Sequence, residues 1–223
     1  MFRRLVLLAL LLAALPLTGC KPAADEQRPP DAREFPRAYR PVSTRSGDGF
    51  SNEQVRDDRR EAATVMDLAM IQPGMTVADI GSGEGYYTVR LADRVGRKGR
   101  VLAEDIDRDA LARLGSRVET EHLDNVSIKL GTEVDPGLPE HSFDRIFLVH
   151  MYHEVTEPYA FLWHLRPGLK KDGAVIVVEA DRPTSQHGIP PKELFCEFAR
   201  VGFRLTEFIR KPELAGYYAR FEA

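Results

Sequence analysis

The sequence predicts an α/β domain of three layers, in which helices cover both faces of a mostly parallel, seven-stranded sheet. Two features of the pattern predict this fold class. Short segments such as 174–180 (AVIVVEA) are apolar on both faces, which is typical of strands buried between two helical layers. Segments with apolar residues at helical spacing separate these strands. The last two strands follow each other without a helix, so we expect an antiparallel C-terminal ribbon at one edge of the sheet.

The predicted elements follow in order through residues 50–223. Ser51 is expected to cap the first helix, with a glutamine three residues later as in a capping box. This helix ends before Pro73 and Gly74, and Pro191 lies in the first turn of the last helix. The strands are predicted at 75–80, 100–106, 126–130, 144–151, 174–180, 203–209 and 217–222. The helices are predicted at 51–71, 87–95, 109–121, 159–169 and 191–201.

The first twenty residues form a separate unit. Arg3 and Arg4 precede an apolar run from Leu5 to Leu15, which is shorter than the roughly 20 residues of a membrane-spanning helix and fits a signal peptide. The run is followed by Leu-Thr-Gly-Cys, ending at Cys20, which resembles the lipobox of bacterial lipoproteins. The resemblance implies removal of residues 1–19 and acylation of the Cys20 sulfur by a fatty acid such as palmitate.

A lipid on Cys20 would anchor the protein to a bacterial membrane, with the folded body facing the periplasm. Lys21 follows the cysteine in place of an aspartate, so we expect the outer membrane if the source is Gram-negative. Residues 20–49 are rich in proline and charge and leave little apolar surface to bury. They are therefore predicted to be an extended tether between the anchor and a folded domain at 50–223.

Charge and composition exclude several classes of protein. The chain has 31 basic and 34 acidic side chains and a formal net charge of −3, so no nucleic acid is expected as a partner. Its mean hydropathy of −0.31 does not fit a multispan membrane protein. Two cysteines exclude a disulfide framework and a four-cysteine zinc site.

A glycine-rich turn, DIGSGEG at 79–85, follows the first strand. Glycines there permit positive φ and let a ligand approach the backbone, and the amides at the start of the next helix favour an anionic group. A dinucleotide-binding G-x-G-x-x-G would need a third glycine at the position of Tyr86. The observed G-x-G-x-G, with Asp79 two residues before it, resembles motif I of the class I S-adenosylmethionine-dependent methyltransferases.

This resemblance implies a Rossmann-like methyltransferase fold with S-adenosyl-L-methionine as the cofactor. It extends over residues 51–223, because the later segments SFDRIFLVHMYHEV and LRPGLKKDGAVIVVE also look like this family. Family members place the methionine end of the cofactor against the glycine turn. The residues that this assigns to the cofactor are Asp79, Gly81, Ser82, Gly83, Gly85 and Tyr86.

Two further acids are candidates for the rest of the cofactor. Asp105 ends the second strand, where a carboxylate can accept hydrogen bonds from both ribose hydroxyls. Its neighbour Glu104 is expected to point elsewhere, because side chains alternate along a strand. Family members often contact the adenine amino group with a residue after the third strand, and here Glu133 and Asp135 compete; we take Glu133 as the candidate.

Acceptor-facing residues are expected after the fourth strand, where this family often places them. His153 is the candidate catalytic base, since an unperturbed histidine titrates near neutral pH; the alternative is that it pins the following helix. His187 is the reserve candidate. Tyr152 or Tyr86 is expected to line the sulfonium by cation–π contact. No metal is expected, because the H-x-x-H of His150 and His153 lacks an H-E-x-x-H helix.

The sequence thus predicts a membrane-anchored, S-adenosylmethionine-dependent methyltransferase with an unidentified small-molecule or lipid acceptor. The alternative is a lipoprotein that binds or senses S-adenosylmethionine without catalysis, because this cofactor is made in the cytoplasm and has no obvious supply outside it. A nicotinamide-dependent dehydrogenase is disfavoured by Tyr86.

Overall fold

The computed structural model describes residues 26–43, 52–211 and 214–223. Strands and helices alternate along the described chain, as the sequence predicts. The helices are α1 (Glu53–Asp58), α2 (Glu61–Leu68), α3 (Tyr86–Val95), α4 (Arg108–Thr120), α5 (Pro158–Leu165) and α6 (Pro191–Arg200). The strands are β1 (Thr76–Ile80), β2 (Arg100–Asp105), β3 (Val126–Leu130), β4 (Phe143–Val149), β5 (Leu169–Glu179), β6 (Arg204–Lys211) and β7 (Gly216–Glu222). Short 3₁₀ turns lie at Pro30–Ala32, Tyr152–Glu154, Arg166–Gly168 and Thr184–Gln186.

In the described ranges the strands form one seven-stranded sheet in the order β3-β2-β1-β4-β5-β7-β6. The pairs from β3 through β5 are parallel, and β7 runs antiparallel to both β5 and β6. The predicted fold class and the C-terminal ribbon are therefore confirmed. Within the ribbon, β7 lies one position inside and β6 forms the edge.

The sheet separates two apolar clusters, which explains why residues 174–178 of β5 are apolar on both faces. Val175 and Val177 pack into one cluster, together with residues of α5 and α6. Ile176 and Val178 pack into the other, together with residues of α2 and α3. Burying each such side chain contributes about 1.5–3 kcal/mol to the stability of the fold.

The order of the strands reverses at β1, which has β2 on one side and β4 on the other. From β1 the chain proceeds outward through β2 to β3 on one side, and the crossover from β3 then returns to β4 on the other side of β1. Open α/β sheets bind ligands in the crevice that such a reversal creates at the carboxyl ends of the strands. The fold therefore places a crevice where β1 runs into the glycine-rich turn.

The first predicted helix is two helices, because α1 and α2 are separated by a break at Arg60, whose φ is 56°. No residue of α1 is buried, so its run of charged side chains supplies no apolar face that would join it to α2. Ser51, the predicted cap, lies outside the described residues. Asn52 caps α1 instead, with Oδ1 accepting a hydrogen bond from the Gln54 backbone N–H at 2.8 Å.

Residues 26–43, which we call the N-terminal strap, belong to the segment predicted to be a tether. More than half of the strap residues are exposed, but several buried side chains hold it against the domain. Arg28 forms a bidentate ion pair with Glu157, with both N···O distances at 2.7 Å and both side chains buried. Ala32 is buried against Val134 and Ala160. A charge of the strap thus finds its partner in the folded body.

The second half of the strap is held by Arg40 and Ser43. Arg40 Nε donates to Glu197 Oε1 at 2.8 Å, and its terminal nitrogens donate to three backbone carbonyls, those of Tyr152, His153 and Val155. Ser43 Oγ donates to the carbonyl of Thr184. The strap therefore fastens the segments that follow β4 and β5.

The predicted signal peptide at 1–19, Cys20 and the rest of the predicted tether, at 21–25 and 44–49, lie outside the described residues. Within the described ranges, every helix is too short or too polar to cross a lipid bilayer.

Candidate active site

An open cleft of about 750 Å³ lies at the carboxyl ends of β1, β2 and β4. Its walls are the glycine-rich turn, the end of β2, the loop after β3 and the segment after β4, and α1 borders it. The lining residues used below are Arg56, Gly81, Ser82, Gly83, Tyr86, Glu104, Asp105, Glu133, His150, Met151 and Glu154. The cleft occupies the place that the reversal of strand order predicts.

The three glycines of the turn all have left-handed backbones, but they serve different purposes. Gly83, with φ 53°, lines the cleft, and a Cβ built on it would meet no atom of the described residues within 4 Å. Gly85, with φ 90°, does not line the cleft; a Cβ there would overlap the Leu114 side chain of α4. A Cβ on Gly81 would approach Met151 Cγ at 2.9 Å. Gly83 is therefore the position where the turn leaves room for a ligand.

Ser82 provides the observation that best tests whether a polar ligand fits this turn. Its Oγ is buried and has no hydrogen-bond partner among the described residues. A buried hydroxyl without a partner costs free energy unless a ligand or water supplies one. The turn therefore offers an unsatisfied polar group beside the open space at Gly83, and this fits the amino-acid end of S-adenosylmethionine.

Asp79 lies behind the turn and does not line the cleft. Its Oδ2 accepts a hydrogen bond from Thr88 Oγ1 at 2.6 Å, which ties the end of β1 to α3. Burial raises the pKa of Asp79 to about 6. The resemblance assigned Asp79 to the cofactor, and the structure assigns it to holding the turn in place.

Asp105 lines the cleft at the end of β2, as predicted. Its Oδ2 accepts from the Gly83 backbone N–H at 2.8 Å, and its Oδ1 accepts from the Asp107 N–H at 2.9 Å. Each carboxylate oxygen can accept more than one hydrogen bond. Asp105 therefore fixes the glycine turn and keeps acceptor capacity for ribose hydroxyls.

Glu104 also lines the cleft, which contradicts the expectation that it points elsewhere. It is only 2% exposed, and burial together with the neighbouring charge of Asp105 raises its pKa to about 8. The carboxyl fits because Gly131, directly after β3, has no side chain; a Cβ there would overlap Glu104 Oε1. The register pairs Glu104 with Lys129, so the glycine that makes room lies two residues further along, just after β3.

We expect Glu104 to make stability fall as the pH rises. The pKa of a glutamate is near 4.5 in the unfolded chain and about 8 for Glu104 in the folded protein, so between these pH values the folded state binds one proton more than the unfolded state. As the pH rises across this range, the free energy of unfolding falls by a few kcal/mol. Glu104→Gln should therefore be more stable than the parent protein at pH 8.5 and similar to it at pH 4.5, measured by urea denaturation. Glu140→Gln, at an exposed site, is the control and should leave the pH slope unchanged. An unchanged slope in Glu104→Gln would contradict the assignment.

The loop after β3 distinguishes the two acids that compete for the adenine end. Glu133 lines the cleft. Asp135 does not, because its Oδ1 turns back to accept from the Gly137 backbone N–H at 2.6 Å. The structure therefore favours Glu133, the candidate taken from the sequence.

His150 comes directly after β4 and lines the cleft with a left-handed backbone, φ 53°. Its Nε2 lies 3.6 Å from Glu61 Oε1, and Arg56 forms an ion pair with the same carboxylate at 2.6 Å. Burial alone would raise the pKa of Glu61, but the hydrogen bonds from His150 and Arg56 outweigh it and lower this pKa to about 2. The cluster gives this side of the cleft an ionised, hydrogen-bonded wall.

The expected cation–π contact from Tyr86 or Tyr152 to the sulfonium is not supported. Tyr86 lines the cleft, but the guanidinium carbons of Arg56 and Arg90 already lie 3.7 and 3.9 Å from its ring centroid. Tyr152 is fully buried in the core, where its hydroxyl donates to Glu197 Oε2 at 2.8 Å. Both rings therefore have protein partners.

His153, the predicted base, does not line the cleft. Its side chain is fully buried, with Nδ1 2.9 Å from Glu179 Oε2, so an acceptor in the cleft would not reach it. His187, the reserve candidate, lies outside the cleft lining as well, with its ring centroid 5.7 Å from that of His153. The alternative, a role in holding the segment after β4, agrees with the burial.

The fold and the glycine turn define a class I S-adenosylmethionine-dependent methyltransferase fold. A profile of the methyltransferase domain family matches residues 71–203, more than half of the chain. The chain belongs to this family, as the resemblance implies, and its cofactor is S-adenosyl-L-methionine.

Two relatives have names that indicate different methyl acceptors. The chain is 31% identical over 116 residues to a protein-L-isoaspartate O-methyltransferase of Methanococcoides burtonii, covering 52% of this chain and 54% of that one. It is 31% identical over 149 residues to a ubiquinone/menaquinone biosynthesis C-methyltransferase of a Shewanella species, covering 66% and 58%. The chain thus spans about half the length of the curated relatives it matches.

Solved structures support the fold. A SAM-dependent methyltransferase from Aquifex aeolicus superposes with a TM-score of 0.66 at 23% identity, covering 77% of this chain and 97% of that one.

Proposed function

We propose that this protein transfers a methyl group from S-adenosylmethionine to an acceptor bound in the cleft. The observation that carries the proposal is the glycine turn, where Gly83 leaves open space beside the unpartnered buried hydroxyl of Ser82. When bound, S-adenosylmethionine supplies an electrophilic methyl group on sulfur. Family membership supports the same activity.

The residues of this chain would bind and orient the two substrates. The glycine turn and Ser82 would hold the methionine end, Asp105 the ribose hydroxyls and Glu133 the adenine. Holding reactants together in this way can supply much of the acceleration of a displacement reaction. If the acceptor must lose a proton, His150 is the titratable group of the cleft wall that we assign to accept it, in place of His153.

We propose that the acceptor is a small molecule or a lipid with an apolar part. Met151, Val155 and Phe161 line the cleft on the side of the segment after β4. The named relatives act on oxygen in one case and on carbon in the other, so they do not fix the atom that receives the methyl group.

Calorimetry on the full chain with S-adenosylmethionine tests binding, with NAD as the matched negative ligand. We expect saturable binding of the first and none of the second; the reverse result would overturn the proposal. Formation of S-adenosylhomocysteine in the presence of cell-envelope extracts then tests catalysis. Binding without product across lipid, small-molecule and protein fractions would favour the alternative, a lipoprotein that binds or senses the cofactor.

We also propose that the protein is a lipoprotein anchored through Cys20, in the outer membrane if the source is Gram-negative. The support is the order of Arg3 and Arg4, the apolar run and the Leu-Thr-Gly-Cys segment. Cys20→Ser is expected to remove acyl chains from the protein, as seen by mass spectrometry, and to shift the protein out of the membrane fraction. Cys196→Ser is the control and should leave both unchanged. Acyl chains retained in Cys20→Ser would contradict the anchor.

A further inference from the structure

Three side chains with metal-binding atoms meet beside the cleft. His153 and Glu154 lie in the 3₁₀ turn after β4, and His187 lies in the loop after β5. One ligand atom from each comes within 4.8 Å of the others, and His153 Nε2 is 3.8 Å from Glu154 Oε1. The grouping is not visible in the sequence, because His187 is far from the other two along the chain and H-x-x-H points to His150.

His153 is held in the orientation that metal-ligating histidines have. Its Nδ1 lies 3.0 and 2.9 Å from the two carboxylate oxygens of Glu179, and both side chains are fully buried. A carboxylate only accepts hydrogen bonds, so Nδ1 carries the hydrogen and a neutral ring keeps its lone pair on Nε2. Ligating histidines commonly donate their other N–H to a carboxylate in this way.

The nitrogen of His153 that faces the group has no hydrogen-bond partner among the described residues. His153 Nε2 is buried without a hydrogen bond to any described residue. A buried polar atom without a hydrogen bond costs free energy, and such atoms are rare in native structures. An ion between the three side chains would satisfy it.

His187 is the third member of the group. Its Nδ1 is likewise buried without a hydrogen-bond partner among the described residues. Its backbone has φ 57°, and its N–H donates to Ser43 Oγ of the N-terminal strap at 2.9 Å. The strap therefore fixes the loop that presents this imidazole.

We propose that His153 Nε2, His187 Nδ1 and the Glu154 carboxylate bind one divalent transition-metal ion, with Zn²⁺ as the ion to test. Two imidazoles and one carboxylate form a ligand set that Zn²⁺ accepts, whereas Mg²⁺ and Ca²⁺ prefer oxygen ligands throughout. Ligands about 2.1 Å from one ion lie at most about 4.2 Å apart, so a pair separated by the full 4.8 Å would have to close by some tenths of an ångström. The remaining coordination positions are left to water or a ligand.

The site connects three parts of the structure. Glu154 lines the cleft, His187 belongs to the loop held by the strap, and Glu179 is the last residue of β5. A bound ion would therefore fix the cleft wall relative to the sheet. This inference does not depend on methyl transfer.

The test is calorimetric titration of the full, untagged, metal-stripped chain with Zn²⁺, combined with visible absorption of the Co²⁺-loaded protein. We expect one ion per chain, d–d bands typical of imidazole and carboxylate ligands, and a raised melting temperature. His187→Ala and Glu154→Gln should each weaken Zn²⁺ binding by at least about tenfold, and Glu179→Gln by about 10–100-fold.

The matched control is His122→Ala. His122 also has a left-handed backbone, φ 53°, but is exposed and far along the chain from the group, so its loss should leave Zn²⁺ affinity unchanged. Circular dichroism is used to check that each variant is folded. If His187→Ala does not fold, the Zn²⁺ affinity of Glu154→Gln, at a partly exposed site, tests the proposal. No Zn²⁺ binding by the folded parent chain, or equal affinity in Glu154→Gln, would overturn the proposal.

Discussion

Gly83→Val is expected to weaken S-adenosylmethionine binding by about 100-fold or more while the domain remains folded. Gly83 lines the cleft, its φ is 53°, and a Cβ there would have no atom of the part of the chain that the structure describes within 4 Å. The valine would therefore fill the volume left for the methionine end of the cofactor. It would also displace the backbone N–H that Asp105 fixes at 2.8 Å. Calorimetry with S-adenosylmethionine measures the loss.

Gly74→Val is the matched control for this experiment. Gly74 also has a positive φ, 89°, and open space around its Cβ, but it lies in the turn before β1 and does not line the cleft. Both variants carry the strain of a β-branched residue in a left-handed backbone, of order 1–3 kcal/mol. Only Gly83→Val should lose the ligand. Equal affinities in the two variants would show that the cofactor lies elsewhere.

Arg40→Ala is expected to lower the free energy of unfolding by about 3–5 kcal/mol, the usual cost of removing one partner of a buried ion pair. The Arg40 side chain is 4% exposed, and its loss leaves Glu197, at 5%, without a counter-ion. Three backbone carbonyls after β4 lose a donor at the same time. Denaturation by urea, followed by circular dichroism, measures the change.

Two comparisons show whether the loss arises from this buried contact. Arg37→Ala removes an exposed arginine from the same strap and should change stability by no more than about 0.5 kcal/mol. Burial raises the pKa of Glu197, so a neutral side chain is tolerated there better than an isolated charge. Adding Glu197→Gln to Arg40→Ala should therefore recover part of the loss. Equal, small effects of Arg37→Ala and Arg40→Ala would mean that the contacts of Arg40 do not stabilise the fold.

The sheet was predictable because the information for it is local. β5 shows this most clearly, since Val175 to Val178 are apolar in succession and each face of the strand meets its own cluster. The glycine turn was predictable for the same reason, because Gly83 and its neighbours adopt their conformations within a few residues. Asp105 followed from its place at the end of a recognisable strand.

What the sequence did not reveal depends on contacts between distant residues. Arg28 and Glu157 are 129 positions apart, and Arg40 and Glu197 are 157 apart, so the strap looked like a solvated segment. The orientation of Glu104 depends on the absence of a side chain on a different strand, at Gly131. Periodicity along one segment carries none of this information.

If Cys20 carries the proposed lipid, the strap would limit how far the domain can move from that lipid. A fully extended chain spans at most about 3.3–3.6 Å per residue, so a tether from residue 20 to residue 49 would reach on the order of 100 Å. The domain is instead engaged from Arg28 onward, which shortens the longest reach to about 30 Å. If the proposed anchor exists, the cleft would therefore stay within a layer next to the bilayer that is much shallower than a fully extended tether would allow.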